Sequence, residues 1–179
     1  MLFKRRETQD RWSQFKLWLW PRVSWRRSMA YYVKRVLRLS GTPYAIAMGA
    51  AAGIGVAFTP FVGLHIVLAC AIAWSFGGNL IASAIGTAVG NPVTYPFIWA
   101  GTYEIGHFLL QGTSPAAPGA WGRVIDAPIE QILPLIKPML LGSIPLGIAA
   151  GCIGFFVIYQ AVVGYQAARR KRLAERAEA

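Results

Sequence analysis

The chain has 179 residues, 55% of them hydrophobic and 14% charged, with a mean hydropathy of +0.44. Soluble domains carry about 25% charged residues, so this composition sets an ordinary soluble fold aside. The formal charge of +11 would suit nucleic acid, but eleven of the eighteen Lys and Arg precede Leu39 and five lie in Arg169–Arg176, flanking the apolar region instead of forming a binding patch.

No acidic or basic residue occurs from Leu39 to Tyr103, or from Pro138 to Ala168. Two charge-free blocks of that length imply lipid. The expected fold is an all-α integral membrane protein with an amphipathic interfacial helix, then short broken or re-entrant helices, then a full closing transmembrane helix. Basic flanks at both ends predict cytoplasmic termini and attraction to anionic headgroups.

Residues 1–40 form a basic, Trp-rich segment. Lys4, Arg5 and Arg6 are followed by polar "ETQDRWSQ" without an apolar core, so no secretory signal is read and the segment is expected to be retained. Trp12, Trp18, Trp20 and Pro21 precede a helix in which Trp25, Met29, Tyr32, Val36 and Leu39 recur at helical spacing, with Arg27, Lys34, Arg35 and Arg38 on other faces. This helix is expected to lie in the headgroup plane.

The membrane domain is expected over residues 41–163. In "SGTPYA", Gly41 reads as a helix stop, Thr42 as an N-cap and Pro43 as the first helical residue. Sixteen residues to about Phe58 reach about 24 Å, short of a hydrocarbon core of about 30 Å. A second short helix is expected over about Phe61 to Phe76, ending at "GGN", and a third over about Leu80 to Val89. A segment from about Pro96 to Leu110 would complete a broken span with the third helix.

Five prolines and three glycines over residues 112–138 predict a non-cytoplasmic loop with a short interfacial helix near Ile129–Ile136. The uncharged run Met139–Val163 is long enough to cross with tilt, and residues 164–179 form a basic cytoplasmic tail. The first two helices read either as a hairpin entering and leaving on one side or as a pair of short spans. Hydropathy does not separate the two.

Ala45, Gly49, Gly53 and Ala57 repeat every four residues, as do Ala82, Gly86 and Gly90. Such stripes predict close helix packing, and Gly147 with Gly151 reads likewise. Each of the first two stripes runs into a polar residue followed by proline, Thr59-Pro60 and Asn91-Pro92. Proline removes a donor and biases the preceding residue away from helix, freeing carbonyls that need partners in hydrocarbon. The candidate pathway or binding residues are therefore Thr59, Pro60, Gly63, His65, Asn79, Asn91, Pro92, Thr94 and Pro96.

His65 reads either as a functional intramembrane group or as a staple on a freed carbonyl. If the breaks face each other, N–H groups near Phe61–Gly63 and Pro96–Ile98 would offer positive dipole ends to an anion. Glu104 and His107, three apart on one face, are a candidate proton-responsive pair. Cys70 and Cys152 read as small buried hydrophobes, without metal or disulfide spacing. No catalytic residue, metal ligand set or cofactor motif is found, so no cofactor is expected and an enzyme has little support.

The run "GTPYAIAMGAAAGIGVAFTPFVGLHIVLACAIAWSFGGNLIASAIGTAVGNPVTYPFIW" resembles the bacterial membrane family known as domain of unknown function 2062. Its most specific stretches are "FTPFxGLH" and "NPxTxP", matched here by Thr59, Pro60, Gly63, His65, Asn91, Pro92, Thr94 and Pro96. Asn79 fits the pattern too. The resemblance implies a bacterial integral membrane protein, in the inner membrane of cells that have two. Some relatives look like fusions to glycosyltransferase-like domains, which points toward envelope lipid or polysaccharide metabolism.

Two functions are expected from this reading. One is a small transporter or lipid-handling protein built on the paired broken helices, within a homo-oligomer. The other is a noncatalytic scaffold that anchors an envelope-synthesis enzyme through the basic N-terminal helix. Membrane lipids are the expected partners in both, and nucleic acid in neither.

Overall fold

Helix caps and stops set the order of elements in the structure, a computed structural model that describes residues 25–61, 63–111 and 129–178. The chain divides into two units, residues 1–35 and 36–179. Among the described residues there are six α-helices, one short 3₁₀ turn and no strand: α1 (Trp25–Leu37), α2 (Pro43–Val56), α3 (His65–Ser75), α4 (Leu80–Gly86) continued by the 3₁₀ turn Thr87–Val89, α5 (Tyr95–Gln111) and α6 (Ile129–Ala177). Trp12, Trp18, Trp20 and Pro21 lie outside the described residues.

Within the first unit, Arg35 lies against Tyr31, donating from Nη1 to the phenolic oxygen at 2.7 Å. The second unit begins with α2, whose start is set as its local sequence dictates. Thr42 accepts from the Ala45 N–H at 3.1 Å and Pro43 occupies the first turn, where its missing donor costs nothing. Asn79 caps α4 in the same way, accepting from the Ala82 N–H at 2.9 Å.

Glycine determines how the helices meet. A methyl group at Gly49, Gly53 or Gly86 would collide with the facing backbone at the carbonyls of Asn79, Ser83 and Ala50. The two small-residue stripes therefore face each other, and α2 and α4 touch backbone to backbone. Gly55 and Gly147 do the same for α2 and α6, an added Cβ meeting the opposite carbonyl at 3.0 and 2.7 Å. Gly106 against Pro138 and Gly142 against Thr102 bring α5 and α6 equally close.

These contacts fix direction. Gly55 lies opposite Gly147, Ala51 near Gly151, and Gln166 Nε2 donates to the Gly41 carbonyl at 3.1 Å, so α2 and α6 are antiparallel. Gly49 meets Asn79 and Ala57 meets Gly90, so α4 runs parallel to α2. The α5–α6 contacts are antiparallel, giving α2, α4 and α5 one common direction. α3 returns between α2 and α4, with Tyr44 donating to the Phe76 carbonyl at 3.2 Å at one end and Thr59 meeting His65 at the other.

Small side chains fill the interior. Ala47, Ala50, Ala57, Ala69, Ala73 and Ala82 are buried, and the largest fully buried side chains are Ile46, Val162, Thr102 and Ser83. Large apolar groups point outward instead, with Trp74 and Phe97 each 77% exposed. Leu135–Ala177, within α6, is the one stretch among the described residues long and apolar enough to cross a membrane. Pro43–Val56, His65–Ser75 and Leu80–Val89 are apolar but shorter.

Three expectations need correction. α3 starts at His65, not near Phe61, because Gly63 sits in the left-handed region at φ +96° and interrupts helical dihedrals after Pro60. The loop expected to Pro138 ends by residue 128: the interfacial helix near Ile129–Ile136 is the beginning of α6, which continues through the tail to Ala177. Proline ordinarily breaks a helix, but α6 runs through Pro138, and α5 packs against it there at backbone distance. Finally, Cys152 is exposed and Cys70 half-buried, since Cys152 falls on an uncovered face of α6.

Candidate functional site

At the end of α2 the ladder tightens, with Thr59 N–H donating to Val56 at 2.9 Å, and the Thr59 hydroxyl reaches the same carbonyl at 2.8 Å. Pro60 can donate nothing. The carbonyl of Thr59 itself is met by Nε2 of His65 at 3.0 Å. A carbonyl only accepts, so Nε2 carries the proton and Nδ1 is left as an acceptor, facing the Tyr95 hydroxyl at 3.3 Å. His65 is 6% exposed, and its ring stacks on Tyr95 with centroids 6.0 Å apart.

The second turn satisfies itself. Thr94 Oγ1 donates to the Val89 carbonyl at 2.6 Å and accepts from the Asn91 N–H at 3.0 Å. Asn91 Oδ1 accepts from Val93 and Thr94 at 3.0 and 3.2 Å, while its amide group donates to Val89 at 3.3 Å. This is an Asx turn that launches α5, whose first bonds run from Tyr95 N–H to Asn91 and from Ile98 N–H to Thr94, both at 2.9 Å. Pro96 falls in the first helical turn, where no partner is needed.

The two turns meet. A Cβ at Gly90 would lie 3.0 Å from the Tyr95 hydroxyl and 3.2 Å from Ala57 Cβ, so glycine there keeps space for Tyr95 to reach across to His65. Beyond Tyr95 the ring of Trp99 follows at 5.3 Å, and its buried Nε1 has no hydrogen-bond partner among the described residues.

Beside this junction lies an apolar groove of about 610 Å³ walled by α2, α3 and α6, with Met48, Ala52, Ile72, Ile148 and Cys152 among its lining. That volume lies within the range of about 300–1,000 Å³ typical of ligand sites. Thr59 and Ser143 line it too, but both hydroxyls donate to their own helix, Ser143 to Leu140 at 2.8 Å. The groove thus presents hydrocarbon, not donors. At the end lined by Phe76 and Phe155, Tyr44 of α2 bridges the walls, its hydroxyl on the carbonyl of Phe76 at the end of α3 and its ring edge-on to Phe155 of α6 at 5.9 Å.

A family model described as "Uncharacterized protein conserved in bacteria (DUF2062)" matches residues 26–171. The chain belongs to this family. No curated protein and no solved structure matches it.

The DUF2062 span contains all the candidate residues and separates them into groups. Thr59, Pro60, His65, Asn91, Pro92, Thr94 and Pro96 are gathered at the junction of the two turns. Gly63 shapes the first turn but points into open space. Asn79 lies at the opposite end of α2, donating its N–H to Ala45 at 2.7 Å. Glu104 and His107 lie farther along α5, Glu104 exposed and the His107 ring 5.8 Å from that of Tyr103.

Sequence reasoning missed Tyr95 and Trp99. The signal was present in the spacing Tyr95, Trp99, Thr102 and Gly106, a stripe on the face of α5 that turns inward. An apolar background made these aromatics look ordinary.

Proposed function

We propose that this chain is a multi-pass protein of the bacterial inner membrane that handles lipid, holding an acyl chain in the groove between α2, α3 and α6. The groove itself carries this reading, because it is large, apolar and open sideways, and its only hydroxyls are spent within the chain. A polar pathway for ions has less support. The carbonyls and N–H groups loosened by the two prolines are taken up by His65, Asn91 and Thr94.

The membrane assignment is supported by the inverted distribution of side chains, small inside and large apolar outside, and by the length of α6. Antiparallel α2 and α3 suit a hairpin that enters and leaves on one side, while α4 and α5 together suit one interrupted crossing. The Gln166–Gly41 hydrogen bond brings Arg38, which follows α1, and the bases that end α6 toward one surface, consistent with both termini in the cytoplasm.

Native mass spectrometry of the detergent-purified full chain with added phosphatidylglycerol tests the reading. The parent should retain phospholipid, and Ile148→Trp, which fills the groove from an exposed position, should retain several-fold less with unchanged circular dichroism. Equal retention by the two proteins would overturn the proposal.

A further inference from the structure

The groove is not symmetric along its length. At one end Tyr44 ties α2, α3 and α6 together. At the other, α6 continues outward as a track: Lys137, Leu141, Ile144 and Ile148 follow one another at spacings of four, three and four, which places them on one helical face. All four are exposed, and Ile144 and Ile148 already line the groove.

Lys137 is the last charge before the uncharged run Pro138–Ala168, and it makes no ion pair with any described residue. From Ser143 to Phe155 the groove follows twelve residues of helix, about 18 Å, close to the roughly 15 Å of one hydrocarbon leaflet. Lys137 stands six residues farther out, about 9 Å. That distance leaves room for a glycerol ester between the chain and a charged headgroup. A neutral occupant would have no use for the lysine.

Building on the lipid-handling reading, we infer that the occupant is an anionic phospholipid, inserted with its chain end toward Tyr44 and Phe155 and its phosphate on Lys137. The lipid therefore comes from the leaflet remote from Arg38 and Arg169–Arg176. Arg38 and Arg169–Arg176 play no part in choosing it.

The test uses the full chain in nanodiscs of equal phosphatidylglycerol and phosphatidylethanolamine, with lipid retained after extraction measured by native mass spectrometry. The parent should be enriched in phosphatidylglycerol, and Lys137→Gln should lower that enrichment about fivefold, the factor that about 1 kcal/mol of attraction to one basic residue represents. Total lipid should stay constant. Phosphatidylglycerol with a photoreactive group at the chain end should label peptides around Tyr44 or Phe155, and with the group near the ester should label peptides around Leu141 or Ile144.

Enrichment that survives Lys137→Gln, or is absent in the parent, overturns the headgroup assignment while leaving the groove reading intact. Reversed labelling overturns the orientation. If Ile148→Trp leaves total lipid unchanged, the groove reading itself fails. If the parent retains no lipid and dimerises through the groove, a second copy is the occupant and both readings fall.

Discussion

His65 closes the turn that leads into its own helix: Nε2 lies 3.0 Å from the carbonyl of Thr59, six residues earlier, while Nδ1 faces Tyr95. One buried imidazole thereby joins both proline-broken turns. Its role is to supply a donor to the Thr59 carbonyl at the point where α2 has ended.

Replacing His65 with Ala should leave the Thr59 carbonyl without its donor and destabilise the protein by about 1–3 kcal/mol, the cost of an unsatisfied buried polar group. His65→Gln, whose amide can donate to the same carbonyl, should recover part of the loss. Thermal unfolding in detergent, followed by circular dichroism, gives both values. An Ala variant as stable as the parent would remove the staple.

Two glycine-to-alanine substitutions should act in opposite directions. At Gly53 the new methyl group meets the Ser83 backbone, and forcing α2 from α4 should cost about 1–3 kcal/mol. At Gly164, helical and with nothing within 4 Å, Ala should stabilise by about 0.5–1 kcal/mol. The same unfolding measurement distinguishes them, and like signs would contradict the packing described.

Asn91→Ala should cost about 0.5–2 kcal/mol, as losses of helix-starting side chains do. Its Oδ1 serves two N–H groups at the entry to α5. Hydrogen exchange should quicken at Val93 and Thr94 and stay unchanged at Ala82, whose N–H is capped by Asn79 at the far end of α4.

Cys152 lies on the groove and is exposed, whereas Cys70 is half-buried near Ser83. In a Cys70→Ala background, N-ethylmaleimide should modify Cys152 in detergent, and added phosphatidylglycerol should slow the reaction several-fold. A rate indifferent to lipid would show that the groove stays empty.

Much of the helical order was legible along the chain. Caps and prolines operate on neighbours within a turn or two, so Thr42-Pro43 marks its helix start without reference to the rest of the fold, whereas Asn79, read as a candidate site residue, is a cap of the same kind. The four-residue periods of Gly49, Gly53, Ala82 and Gly86 announced close packing for the same local reason. The start of α6 was misread because its prolines carry a loop signal, whereas the helix runs through Pro138, where Gly106 of α5 packs against it.

Sequence alone determined the class of this protein: charge-free blocks, small-residue stripes and two polar-proline interruptions are properties of the linear chain, and they specify short apolar helices packed at backbone distance. Tertiary structure decided what those interruptions meet. Tyr95 reaches His65 across thirty positions, Gln166 reaches Gly41 across 125, and the groove arises where α2 and α3 meet α6, far along the chain. No local rule encodes such contacts, because each depends on the directions in which whole helices run and on glycines that let their backbones touch.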